Sequence, residues 1–173
     1  MKLHQKSILI LLLFLSTISG CSDRVQSTST ELEEKFQISV PIADMNKSLR
    51  LNIEGDEKTF RRGSDIPLLF QNRSPHFIFF TAENYIKLFM TRDAEWIEVK
   101  NELTYSGNKA LSPQGTPLLD LDHTWARPAL DDNAFKDNKT EILTRIVMTG
   151  EIMENDKPTG DLVGAYVDVY LTP

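Results

Sequence analysis

Cysteine is almost absent from this chain, with Cys21 alone in 173 residues. One thiol closes no internal disulfide, so a domain of this length must be held by its core. Histidine is nearly as scarce, and beyond the first twenty residues only His76 and His123 occur. Neither stands in a His-x-x-x-His or His-Glu-x-x-His spacing, so a zinc hydrolase is not indicated. A Gly-x-Ser-x-Gly elbow and a phosphate-cradling glycine loop are missing too. No catalytic residue, metal or cofactor is therefore expected. Sustained 3.6-residue periodicity is also lacking after the first twenty residues, which argues against a helical fold.

Basic charge is in deficit. Of 19 Lys and Arg, Lys2 and Lys6 lie in the first twenty residues, which hold no acids; the remaining 17 face 25 acidic side chains, a balance of −8. That sign repels phosphate backbones, and no basic stripe with interleaved aromatics is present, so nucleic acid is excluded as a partner. It equally disfavours direct docking on anionic lipid headgroups. Any hold on a membrane must come from the terminus.

The terminus has the features for it. Lys2, His4 and Lys6 precede an unbroken apolar run from Ile8 to Leu15, which Ser16 to Gly20 separate from Cys21. The run fits the core of a secretory signal and falls short of the roughly 20 residues a spanning helix needs. The sequence Ile18-Ser19-Gly20-Cys21 resembles the lipobox of bacterial lipoproteins. The resemblance covers residues 1–21. It implies cleavage before Cys21, acylation of that cysteine as the lipid-attachment site, and anchoring in a lipid bilayer. Ser22, not Asp, follows the cysteine, which in Gram-negative lipoproteins resembles the pattern sorted to the outer membrane. Three Asn-x-Ser/Thr sequons, at Asn46, Asn72 and Asn138, are read as chance in that setting.

Residues 21–35 read as a lipidated start and polar tether, with at most a frayed turn at 31–35. As coil, such a tether spans roughly 20 Å. A single domain is expected over 36–173. There the dominant period is two: Leu49, Leu51 and Ile53 alternate with polar residues, and Ile66, Leu68 and Phe70 alternate with Pro67, Leu69 and Gln71. Phe77 to Phe80 reads as a fully buried strand. Tyr85–Met90 and Trp96–Val99 flank a turn. Ile142, Thr144, Ile146, Met148 and Ile152 share one face of a long run, and Val163, Ala165, Val167, Val169 and Leu171 one face of the last. Between them Asn155 to Asp161 reads as a longer hairpin loop. The expected fold class is all-β, an antiparallel β-sandwich.

The run Gly63-Ser64-Asp65-Ile66-Pro67-Leu68-Leu69-Phe70-Gln71-Asn72-Arg73-Ser74 resembles the second strand of bacterial immunoglobulin-like modules, where an apolar strand ends in Asn-x-Ser. The ending Ala165-Tyr166-Val167-Asp168-Val169-Tyr170-Leu171 is similar to their final strand. The resemblance implies an immunoglobulin-like sandwich and leaves function open, because that fold hosts many functions.

Two stretches carry polar chemistry. Asp131, Asp132, Asn133, Asp137, Asn138 and Glu141 are rich in oxygen ligands, but the EF-hand spacing and its glycine are missing, so a solvated connection is expected instead of a calcium site. Residues 106–129 read as a long loop with one short strand at Leu118–Leu121. Within it Asp122, His123, Trp125 and Arg127 set an aromatic beside a donor, an acceptor and a titratable ring, as binding surfaces do. The alternative has Trp125 capping the core and Arg127 paired with Asp120 or Asp122.

The leading expectation is a membrane-anchored lipoprotein whose domain is a non-catalytic binding or structural module for an envelope protein or ligand. A proteinase-inhibitor-like or ligand-capture module, using a protruding loop from Pro113 to Pro128, is the second. An Asp122/His123 hydrolase is the third, and it requires those two side chains to converge in one cleft.

Overall fold

The computed structural model describes residues 31–82, 85–93, 95–105, 107–136 and 140–173. The signal segment, the lipobox with Cys21, Ser22 and most of the tether lie outside the described residues, as do Asp137 and Asn138. The chain divides into two compact units, residues 1–37 and 38–173. In the first, residues 31–36 form a short helix where the tether was expected to continue. The sequence Glu-Leu-Glu-Glu-Lys consists of good helix formers, which accounts for it locally.

The second unit is all-β. Its strands are β1 (Leu49–Ile53), β2 (Thr59–Arg61), β3 (Ile66–Asn72), β4 (Phe77–Phe80), β5 (Ile86–Arg92), β6 (Glu95–Val99), β7 (Lys109–Leu111), β8 (Leu121–Ala126), β9 (Ile142–Glu154) and β10 (Lys157–Thr172). A three-stranded antiparallel sheet has the order β1-β3-β8; the seven-stranded sheet runs β2-β10-β9-β4-β7, with β5 pairing β9 and β6 pairing β5. The long strand β9 makes this branching possible. One edge carries β10, while the other carries β5 at Thr144–Met148 and then β4 at Glu151–Met153. The only departure from antiparallel order among the described strands is β2, which runs parallel to the end of β10.

The core fills the space between the sheets. Leu49, Leu51, Ile66, Leu68 and Phe70 meet Ile78, Phe80, Leu88, Ile146, Met148, Ala165 and Val169, all buried in one cluster. These are the period-two apolar positions, so the alternation that defines each strand also defines which face it buries. Phe70, Phe80 and Tyr85 pack edge to face with centroids 5.3–5.7 Å apart, the favoured aromatic geometry.

Three local expectations need correction. β4 is not buried throughout, because Phe77 is 47% exposed where it pairs with Met153 near the hairpin end, beyond the core. The β9–β10 connection is not a long loop. Asn155 and Asp156, with φ of 51° and 61°, make a two-residue turn of the type that matches strand twist. The remaining turn-forming residues go into a bulge: the register steps from Pro158↔Met153 to Leu162↔Glu151, and Thr159 Oγ1 donates to the Ile152 carbonyl at 3.0 Å. Finally, 106–129 is not one long loop, since the strands β7 and β8 lie near its two ends. Leu118 has φ 67° and is 89% exposed, so the short strand placed at Leu118–Leu121 does not form and β8 starts only at Leu121.

Candidate binding surface

β8 presents the sequence-selected residues in strand geometry, where successive side chains point to opposite faces. Thr124 and Ala126 are buried, while His123 and Trp125 face out. Asp122 is on the inward side at the sheet margin. Its carboxylate accepts from Lys109 Nζ at 2.7 Å and from the His123 backbone N–H at 2.7 Å. Lys109 also donates to the His123 carbonyl at 3.3 Å and lies 5.7 Å over the Phe70 ring. Asp122 therefore works as a bracket, fixing β7 against β8.

His123 points the other way, with Nδ1 3.3 Å from Glu54 Oε2. Asp122 and His123 thus sit in separate environments, and the convergence needed for an acid/base pair does not form. Arg127 pairs with neither Asp120 nor Asp122. Its Nε donates to Asp65 Oδ1 at 2.8 Å, and another guanidinium nitrogen lies 3.9 Å from Glu102.

Trp125 does not cap the core. It is 49% exposed on the outer face of the three-stranded sheet and stacks on no ring or cation among the described residues. Opposite it on β3 is Pro67, and His123 is opposite Leu69. Pro67 and Leu69 are half-buried. The face is therefore an apolar strip, Pro67–Leu69–Trp125, bordered by the His123/Glu54 pair at one end and Arg127/Asp65 at the other. The chain locates Trp125 and Arg127 by type, whereas Glu54 and Asp65 lie 69 and 62 residues from their partners and no local pattern marks them.

By the end of β4 and the start of β7 is a cavity of about 230 Å³ lined by Phe80, Tyr85, Thr104, Tyr105, Gly107 and Lys109. Burial pushes the Tyr85 hydroxyl well above the ordinary phenol range, and the nearby Asp122 charge acts in the same direction. Among the described residues its buried oxygen has no partner of hydrogen-bond geometry; Thr124 lies alongside and opposes the shift.

The acidic stretch is structural where it is described. Asp131 accepts from Arg92 at 3.0 Å, and that guanidinium holds its carboxyl below the usual range. Asp132 accepts from Arg62 at 2.7 Å. Among the described residues no group of three His, Cys, Asp or Glu could hold a metal, and no helix is long and apolar enough to cross a membrane.

No family model and no curated protein matches this chain. Among solved structures it is similar to Spo0M, a sporulation control protein from Bacillus subtilis, at 9% identity and a TM-score of 0.39, over 73% of this chain and 50% of that one. It is also similar to AvmM, which catalyses macrocyclization in alchivemycin A biosynthesis, at 15% identity and a TM-score of 0.31, over 75% of this chain and 91% of that one. The chain thus spans about half the length of the sporulation protein it matches. Neither likeness bears on what this chain binds.

Proposed function

We propose that this protein is a lipid-anchored, non-catalytic binding module of a bacterial cell envelope, held on its membrane through acylated Cys21. The anchor reading rests on the lipobox-like Ile18-Ser19-Gly20-Cys21 and the apolar run before it. Two acyl chains at about 0.8 kcal/mol per buried CH₂ make a lasting anchor. With Ser22 after the cysteine, a Gram-negative source would carry it on the outer membrane.

The observation that carries the binding reading is Trp125. A half-exposed tryptophan on an apolar strip with a charged rim is the composition of a protein-interaction hot spot. The partner this suits is another envelope protein with an apolar anchor of its own. Intact mass of the membrane-extracted protein tests the anchor: residues 21–173 plus acyl chains is the expected species, and an unmodified soluble chain removes it. Crosslinking in whole envelopes tests the surface. Trp125→Ala is expected to abolish the adduct that the unmutated protein forms, and an unchanged adduct pattern moves the interface elsewhere.

A second reading, proteinase inhibition or ligand capture, is favoured by the loop before β8. Leu118 projects from a segment braced on both sides: Ser112 N–H donates to Leu119 O at 2.9 Å, and Gly115 N–H to Asp120 Oδ2 at 3.2 Å. Gln114 N–H donates to Ser74 O at 2.9 Å, tying the loop to the end of β3. A rigid loop with an exposed leucine loses little entropy on entering a protease cleft. A protease panel showing no inhibition at micromolar protein ends this reading.

A further inference from the structure

The open side of the sandwich, where β1 and β10 border one another, holds a second site made by residues distant in sequence. A groove of about 550 Å³ runs there, lined by Arg50 and Asn52 of β1, Lys58, Arg73, and Tyr166 and Asp168 of β10. Arg50, Lys58 and Arg73 are exposed, and none has a carboxylate within ion-pair reach among the described residues. Arg50 reaches only the Asn52 side-chain amide. Arg50 and Arg73 are diagonal neighbours on the outer face of their sheet, since Arg50 pairs with Gln71 and the Arg73 N–H bonds the Ser48 carbonyl. Lys58 faces them from the start of β2.

The one acid in the groove does not cancel this charge. Both oxygens of Asp168 are held by Arg145, with Nε and a terminal nitrogen each at 2.7 Å. Three free cations therefore converge in a domain whose net charge is strongly negative.

The edge of β10 adds a backbone donor. Upstream, the Asn46 N–H donates to Gly164 O at 2.9 Å, and the Asn46 side chain exchanges two 3.2 Å bonds with the Tyr166 backbone. Downstream, Tyr170 N–H donates to Lys58 O at 2.8 Å, where β2 begins. Strand alternation turns the Asp168 N–H and C=O to the same edge, in the gap between these two closures. The gap is one residue long, too short for an added strand to pair and wide enough for a compact group.

We propose that this groove binds a phosphate group, with Arg50, Lys58 and Arg73 supplying charge and the Asp168 N–H a directed donor. Cations from three segments plus a backbone N–H suit a tetrahedral oxyanion with several acceptors; a carboxylate would be satisfied by one arginine fork. The phosphate belongs either to a soluble monoester or to a phospholipid headgroup. This site shares no residue with the Trp125 strip, although Arg50 and Arg73 lie on the same outer face of the three-stranded sheet, and it does not depend on acylation.

The test uses the full chain carrying Cys21→Ser, so that acylation does not contribute, beside the same chain with Arg50→Gln, Lys58→Gln and Arg73→Gln. One arm titrates glycerol 1-phosphate by calorimetry; the other sediments the protein with phosphatidylglycerol vesicles, against phosphatidylcholine vesicles as baseline. Binding in the first arm that the triple variant weakens at least about tenfold supports the proposal with a soluble source. Binding confined to phosphatidylglycerol and lost in the triple variant supports it with a headgroup source. No binding in either arm, or binding the triple variant leaves unchanged, overturns it. If the variant fails to fold, salt decides on the parent chain: binding that does not weaken between about 50 and about 500 mM salt overturns the proposal, and a clear weakening supports it.

Discussion

The side-chain oxygen of Asn72 accepts the backbone N–H of Ser74 at 2.8 Å, closing a turn at the end of β3. From the same side chain, Nδ2 donates to the carbonyls of His76 at 2.7 Å, Ser112 at 2.8 Å and, more weakly, Leu111 at 3.3 Å. Ser74 Oγ donates to the His76 carbonyl at 2.8 Å. The Asn-x-Ser sequence is thus a buried bracket joining β3, the β4 approach and the end of β7. Asn72→Ala would leave one buried donor and several acceptors unmatched, and the expected loss is about 3 kcal/mol. Urea unfolding reads it as a lowered midpoint at unchanged slope.

Arg145 is buried and makes a bidentate pair with Asp168, its guanidinium lying 4.3 Å from the Tyr166 ring centroid and 5.2 Å from that of Trp96. Burial works against the guanidinium charge, and the Asp168 carboxylate more than offsets it, so its pKa is raised. Asp168→Asn strands that charge. Because the carboxylate side chain is itself 34% exposed, the expected cost is about 2–3 kcal/mol, below the full range for a buried pair. Arg145→Lys retains the charge and loses the fork and the stacking, and thermal unfolding should rank it below the parent.

Gly150 is in the middle of β9 because nothing larger fits. A Cβ there would stand 2.6 Å from Ile78 Cγ2 and 2.8 Å from Phe80 Cε1. Gly150→Ala is expected to destabilise by about 1–3 kcal/mol through overpacking, measured by equilibrium denaturation. An unchanged midpoint would mean that β4 can shift away from β9.

The hairpin turn offers a change in the other direction. Both Asn155 and Asp156 hold positive φ, and Asn-Gly is the sequence best suited to that turn. Asp156→Gly relieves the second position and is expected to stabilise by roughly 0.5 kcal/mol, seen as a small rise in melting temperature.

Strands and their buried faces were legible wherever alternation was clean. Leu49, Leu51 and Ile53, or Ile66, Leu68 and Phe70, announce both the strand and the side that meets the core. Turn chemistry was legible in kind but not in place: Pro158, Gly160 and Asp161 look like loop and serve a bulge, because bulges and loops demand the same backbone freedom. The surface was half legible. Trp125 stands out by type, yet its exposure depends on β8 pairing with β3 in one register, which two alternating segments cannot specify. The cationic groove was not legible. Arg50, Lys58 and Arg73 belong to three segments and meet only after β10 is laid beside β2.

That last placement governs when the domain can become ordered. β2, at residues 59–61, finds its neighbour at residues 170–172, and β10 is also the strand that completes one whole side of β9. Until β10 docks, β2 has no sheet to join and the phosphate groove has only one wall. Completing the fold therefore depends on pairings between distant parts of the chain, which is the regime of slow folding. Neighbouring segments such as β5 and β6 can pair on their own, whereas the groove and the β10 side of the core close only when those distant strands meet.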